Sequence, residues 1–343
     1  MNFTSDNAYG AAPEILGALA DTNAGAAAPY GADPFTARVT RALSEIFDRQ
    51  VAAFPVVTGT AANALALATV SPPYGAIFCH AESHIVIDEC AAPEFFSGGA
   101  RLVPLEGADG KITPDVVETS LTHYRGGVHS PKPSAISITQ ATERGTVYRP
   151  EEIRALSEVA KREGMTLHMD GARFANALAY LKCSPTDITW KAGVDVLSFG
   201  ASKNGALCAE AVVFFDAALV HDFEYRRKRA GHLLSKMRFV SAQLNAYLAE
   251  DRWLKWAALA NAKTQRLAAA LQGIPDAELA HPVEANEIFA FLPNPLLQNI
   301  RAAGAQFYDW GMAENGRTLA RFVLSFLTPD EDIECFCAIL RQQ

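Results

Sequence analysis

An apolar run at 166–169 ends on Asp170, and a second run at 194–199 opens into a loop carrying a single lysine, Lys203. Around them the chain reads His168-Met169-Asp170-Gly171-Ala172-Arg173 and Ser198-Phe199-Gly200-Ala201-Ser202-Lys203-Asn204-Gly205. Each half is a stretch of strand length that stops abruptly in small and charged residues. A strand that delivers an acid, followed by one whose exit loop delivers an amine, suits a pyridoxal phosphate site. There the lysine amine forms a Schiff base with the cofactor, and the acid pairs with the protonated pyridine nitrogen. The pattern predicts an enzyme of amino-acid chemistry.

The rest of the chain alternates in the same way. Apolar runs of strand length occur at 75–79, 101–105, 134–139 and 210–215 as well. Between several of them lie helical patterns, such as 150–161, where Pro150, Glu151 and Glu152 open the first turn. Free N–H groups there favour proline and acids. Strands alternating with helices imply an α/β fold with a mainly parallel sheet covered on both faces. After about Arg226 the character changes to long helical stretches, 233–249 and 253–271, broken near Gly273-Ile274-Pro275. Candidate strands at 287–292 and 320–326 follow. With 343 residues, more than one ordinary core accommodates, the chain divides near residue 240. We expect a large cofactor-binding domain over 1–240 and a smaller C-terminal α/β domain over 241–343.

Several function classes are disfavoured. A net charge of -8 gives no electrostatic footprint for nucleic acid. No apolar run approaches the roughly 20 residues that span a bilayer. The start of the chain lacks the basic and apolar regions of a signal peptide. Six cysteines without paired spacing read as buried thiols of a reducing compartment, so a cytoplasmic protein is expected.

A second chemical element is Val56-Val57-Thr58-Gly59-Thr60-Ala61-Ala62-Asn63, which leads into an alanine- and leucine-rich helix. Small residues at a helix start let backbone N–H groups approach an anion. Taken alone this is only a capped helix start. With a Schiff-base lysine downstream it becomes a seat for the cofactor phosphate, with Ser202 as a further donor.

The segments Thr58-Gly59-Thr60-Ala61-Ala62-Asn63, His84 through Phe96, His168 to Arg173 and Ser202-Lys203-Asn204-Gly205 resemble those of low-specificity L-threonine aldolases. Ser5-Asp6-Asn7 and Tyr30-Gly31-Ala32-Asp33-Pro34 extend the resemblance over nearly the whole chain. These are fold type I pyridoxal phosphate enzymes. The resemblance implies Lys203 as the Schiff-base lysine, Asp170 at the pyridine nitrogen, and Gly59, Thr60 and Ala61 at the phosphate. It implies His84 stacked on the cofactor and Arg173 near its oxygen and the substrate carboxylate. His129 is implied as a second active-site histidine near the substrate hydroxyl, and Ser5 with Arg321 as the grip on the α-carboxylate. Arg317 competes with Arg321 for that role. Tyr30 is implied to reach a neighbouring subunit's site, hence a homodimer or homotetramer. The basic stretch Arg226 to Arg229, with Arg238, is either a phosphate contact across that interface or a solvated helix face. Ala201-Ser202 stands where the family more often has Gly-Thr, and Ala8-Tyr9 and Ala91 also depart from the commoner residues.

The implied reaction is retro-aldol cleavage of the Cα–Cβ bond of L-threonine, L-allo-threonine and related β-hydroxy-α-amino acids such as phenylserine, giving glycine and an aldehyde. The base that takes the hydroxyl proton, directly or through water, is His129 or His84, with His129 preferred, since histidine titrates near neutrality. A β-eliminating lyase or an aminotransferase would share Lys203 and Asp170. A metal-dependent hydrolase built on His80, Glu82 and His84 is a weaker rival, because alternating loop positions make a poor ligand set. No metal is expected. A non-enzymatic protein of the same fold is disfavoured by the intact Lys203.

Overall fold

The computed structural model describes residues 1–220, 222–311 and 315–341. Its central sheet has seven strands: β1 (Ala52–Val56), β2 (Gly75–His80), β3 (Arg101–Leu105), β4 (Lys132–Thr139), β5 (Thr166–Gly171), β6 (Val196–Gly200) and β7 (Glu210–Phe214). Their order across the sheet is β1-β7-β6-β5-β4-β2-β3. From β3 to β6 all neighbours are parallel, and β7 runs antiparallel to both β6 and β1. The mainly parallel α/β sheet expected from the alternation is the one that folds. β1 was not foreseen, because Pro55 interrupts a short run. It lies at the sheet edge, where a missing N–H is tolerated.

Alternate residues of β6 and β7 face two different apolar layers. Val196, Val212 and Phe214 pack with Ala61, Leu65 and Ala66 of the helix Gly59–Val70. Leu197, Phe199 and Val213 pack with Phe174 and Trp253 on the other side. Both faces are therefore covered, as burial on both sides of a parallel sheet requires.

A second, antiparallel sheet holds β8 (Glu278–Leu279), β9 (Glu287–Pro293), β10 (Tyr308–Asp309) and β11 (Arg317–Val323), in the order β10-β11-β9-β8. The helix Arg238–Leu248 is buried with the large core. The helix Arg252–Gln272 begins in that core through Trp253 and Ala257, then passes into the small one through Leu267 and Leu271. The apolar layers thus change partway along this helix rather than at residue 240. Phe3 joins the small core, its ring edge-on to Phe336 at 5.3 Å, and its carbonyl accepts from the Val323 N–H at 2.9 Å. The first residues of the chain belong with the last.

Local sequence fixes the end of the sheet where β4, β5 and β6 stop. Thr139, Asp170 and Ser198 lie side by side in the ladder. Beneath Asp170, the buried His168 ring bridges the Ser137 and Ser198 hydroxyls at 2.9 and 3.0 Å. Burial pushes its pKa down to about 4, so it crosslinks three strands as a neutral imidazole. Gly200 is needed because a Cβ there would lie 2.6 Å from the Ala172 carbonyl oxygen. Gly205 has φ +112°, and a Cβ would stand 2.9 Å from the Trp256 ring. Between them Asn204 donates to the Tyr247 hydroxyl and the Trp253 carbonyl, both at 2.8 Å, so the lysine loop is pinned on either side.

Among the described residues no helix is long and apolar enough to cross a membrane. All six cysteines are unpaired, but only Cys79 is buried; Cys90, Cys208 and Cys335 are exposed. The expectation of buried thiols holds for one position, because the rest fall on loops and outward helix faces.

Candidate active site

At the carboxyl end of the parallel strands lies a cavity of about 360 Å³ whose lining includes Thr58, Gly59, Thr60, His84, Asp170 and Lys203. Its anion seat follows from helix capping. Thr58 Oγ1 accepts from the Ala61 N–H at 3.1 Å, and the Thr58 carbonyl accepts from the Ala62 N–H. The N–H groups of Gly59 and Thr60 have no partner within the helix and meet the positive end of its dipole. A Cβ at Gly59 would touch nothing, so that side is open. Ala61, expected at the phosphate, is instead used up by the cap: its N–H is bonded to Thr58 and its side chain is buried in the apolar layer.

Ser202 lines the same cavity, with its hydroxyl accepting from the Ala209 N–H at 3.2 Å. Behind it the buried Glu210 accepts from the Ala201 and Ser202 N–H groups at 2.8 and 3.3 Å. Burial pushes Glu210 up to about 7, against the pull of those bonds and of Lys203. Lys203 itself makes no ion pair among the described residues.

Asp170 is buried and accepts from Asn63 Nδ2 at 2.7 Å and from the Ala172 N–H at 3.0 Å. No cation pairs with it among the described residues. The Asn63 amide also donates to Glu89 Oε1 at 2.8 Å, and the same oxygen meets His84 Nδ1 at 2.8 Å. The hydrogen bond to Glu89 raises the His84 pKa, while burial raises that of Glu89. Asn63 and Glu89 were quoted in the sequence only as parts of motifs. Their signal is a polar side chain inside an otherwise apolar helix and an acid five residues after a histidine.

A second buried cluster joins the chain's start, the large sheet and the small sheet. Arg173 Nε and Nη2 donate to Asp6 at 2.9 and 3.3 Å, and Nη1 lies 3.3 Å from Glu287 Oε2. Arg321 donates to Glu287 Oε1 through Nη2 at 2.6 Å and Nε at 3.2 Å. Asn286 Nδ2 donates to Asp6 at 3.1 Å, and Ser5 Oγ lies 3.4 Å from the same carboxylate. Burial works against the Asp6 charge, but Arg173 and Lys203 hold its carboxyl below the usual range. The structure therefore brings Ser5, Arg173 and Arg321 together. Arg317 turns away to the exposed Glu278 at 3.1 Å, which removes it as the competitor.

His129 is not brought to the site. It sits exposed in the turn Gly127–His129, ahead of the first residue of β4, whereas the cavity lies beyond the last. A strand of eight residues separates the two ends by roughly 26 Å. The loop that does leave β4 beside Asp170 carries Glu143. Burial raises the pKa of its carboxyl, opposed by the nearby charges of Lys203 and Arg173. No histidine marks that loop, and within one chain His129 lies at the opposite end of β4 from the cavity.

Tyr30 lies outside this chain's own cavity, half exposed, with the Lys228 ammonium 4.4 Å from its ring centre. Arg227 is buried and donates to the Pro55 carbonyl, so it is not on a solvated face; Arg238 donates to the Gly25 carbonyl. His80, Glu82 and His84 turn to separate partners, Gly107, Arg144 and Glu89.

The set fits pyridoxal phosphate: unpartnered N–H groups at a helix start for the phosphate, an amine, and a buried carboxylate awaiting a cation. The beta-eliminating lyase family model matches residues 2–294. A low-specificity L-threonine aldolase of Pseudomonas aeruginosa is 45% identical over 97% of this chain and 94% of its own length. One from another Pseudomonas strain is 43% identical over 99% and 97%. The structure of a Leishmania major threonine aldolase superposes with a TM-score of 0.94 at 26% identity, covering 99% of this chain and 98% of that one.

Glu210 has a consequence for stability. Its folded pKa is raised from 4.5 to about 7, so the stability it lends is full below about 4.5 and is lost as pH rises through about 7. The Glu210→Gln variant, which does not titrate, should lack that loss. Melting temperatures of cofactor-free wild type and variant are expected to diverge in the variant's favour across this window, and parallel profiles would contradict the assignment.

Proposed function

The chain belongs to the low-specificity L-threonine aldolases of the beta-eliminating lyase family, and from that premise we propose how its residues share the reaction. It is a carbon–carbon lyase that splits L-threonine into glycine and an aldehyde, with pyridoxal phosphate as cofactor. L-allo-threonine and related β-hydroxy-α-amino acids are further proposed substrates. The observation that carries the reading is the buried Asp170 carboxylate, unpaired with any cation among the described residues, in one cavity with Lys203 and the open helix start.

Gly59 and Thr60 hold the phosphate through their N–H groups, and Ser202 flanks it. Asp170 would pair with the ring nitrogen and keep it protonated, because an opposite charge favours the charged form. Lys203 and His84 line the same cavity, where Lys203 would supply the amine that holds the cofactor and His84 would lie against it. When bound, the cofactor supplies a sink for the electron pair released at Cα.

Ser5, Arg173 and Arg321 orient the α-carboxylate, since a guanidinium fork matches a carboxylate bidentately. His84 takes the β-hydroxyl proton at Nε2 as the Cα–Cβ bond breaks. Its Nδ1 is held by Glu89, which fixes the ring and favours the protonated form once it appears. The Asn63 amide ties that pair to Asp170. The division of roles places ring chemistry on the large domain and carboxylate binding on its junction with the small one.

We also propose that the working unit is a homodimer or homotetramer. Supporting this are the exposed Leu207 at the cavity mouth, Ile87 and Phe95 beside the His84 helix, and Tyr30 turned outward. Such apolar exposure marks association surfaces.

Incubated with L-threonine, the holoenzyme is expected to release glycine and acetaldehyde in equal amounts. Formation of 2-oxobutanoate and ammonia would instead make it an eliminating lyase. In light scattering the protein should have at least twice the 36.9 kDa mass of one chain, and a monomer mass would defeat the oligomer proposal.

A further inference from the structure

We propose that Glu287 is an internal stand-in for the substrate α-carboxylate, holding Arg173 and Arg321 until substrate takes its place on Arg321, and so setting how tightly an amino acid binds. The inference rests on the functional reading only in requiring a ligand with an α-carboxylate.

Both arginines that would grip that carboxylate are already engaged by one side chain. Glu287 Oε1 accepts from Arg321 at 2.6 and 3.2 Å, and Oε2 lies 3.3 Å from Arg173 Nη1. The residue is 1% exposed, and Oε2 has no hydrogen bond of its own. A single carboxylate bridging two guanidinium groups is the arrangement that a bound α-carboxylate would make.

The two arginines are not equally committed. Arg173 has a second anchor in Asp6, which Asn286 holds in turn. Among the described residues Arg321 has no other acid; its guanidinium rests on the Trp310 ring, 4.7 Å from the centre. Its side chain is also the more exposed, at 12% against 4%. Arg321 is thus the partner that Glu287 can yield. The backbone that carries Glu287 is packed against the turn at Gly145, where a Cβ would lie 3.2 Å from the Glu287 carbonyl oxygen.

The charge count gives the direction. At contact distance two guanidinium groups face two carboxylates, Asp6 and Glu287, before any ligand arrives; beyond them the Glu143 carboxyl, whose pKa burial raises, acts on Arg173, and Lys203 acts on Asp6. A third carboxylate leaves one negative charge in excess, in a setting where charges are weakly screened. A neutral side chain at 287 leaves one guanidinium charge for the ligand. Glu287 therefore weakens substrate binding while keeping the arginines in place.

The test is glycine binding to the holoenzyme by calorimetry, together with kcat and KM for L-threonine and the melting temperature. Glu287→Gln should lower the glycine Kd by about tenfold, equivalent to ~1.4 kcal/mol, and lower KM by more than any change in kcat. Glu287→Asp, which keeps the charge, should bind glycine as weakly as the wild type. Should the glutamine variant fold poorly, Glu287→Ala must move the glycine Kd in the same direction. A folded glutamine or alanine variant with unchanged or weaker glycine binding overturns the proposal. Failure of the wild type to release glycine from L-threonine would sink the functional reading alone, since the binding comparison needs no bond cleavage.

Discussion

The site depends on a buried carboxylate that the protein itself leaves without a countercharge. Asp170 stands at the end of β5 with two hydrogen bonds, from Asn63 and the Ala172 N–H, and no cationic partner among the described residues. Burying a charge is costly unless it is paired. His168 beneath it does not help, because burial keeps that ring neutral. The fold holds this carboxylate at a cavity without an ion-pair partner among the described residues. In the proposed assignment the protonated ring nitrogen of the cofactor would supply that partner, and Lys203 lines the same cavity.

Around this charge the structure builds two linked systems. One runs from Asp170 through Asn63 and Glu89 to His84, tying the carboxylate at the end of β5 to the histidine across the cavity. The other runs from Asp6 through Arg173 and Glu287 to Arg321. It assembles residues from the chain's first turn, the loop after β5, and strands β9 and β11. The arginine cluster therefore exists only when the amino-terminal segment and the small sheet are docked on the large one. Phe3 in the small core secures that docking next door to Ser5 and Asp6.

Much of this was legible in the residues. The strand ends carrying Asp170 and Lys203, the helix start of small residues and the parallel sheet follow from local pattern, because period and turn chemistry act over a few positions. Arg321 was named through the family resemblance, and its position falls in the candidate strand at 320–326. What was not legible depends on distant partners. Asp6 and Arg173 are 167 positions apart, and no local signal pairs them. Glu287 read as the first residue of a strand; its importance lies in two guanidinium groups that meet it from other segments. His129 was chosen by residue type, and the strand that separates it from the site is visible only once β4 has a direction. Ala61 was assigned to the phosphate without counting which N–H groups the Thr58 cap consumes. The edge strand β1 was hidden by its own proline.

The central claim is that Lys203 carries the cofactor in the cavity that Asp170 anchors. Borohydride reduction of the purified yellow protein, followed by peptide mapping, tests it most directly, because reduction makes the lysine linkage permanent. The account predicts bleaching of the colour and the cofactor's added mass on the peptide that contains Lys203. Label on another lysine, or no label on a protein that nonetheless cleaves threonine, would contradict it.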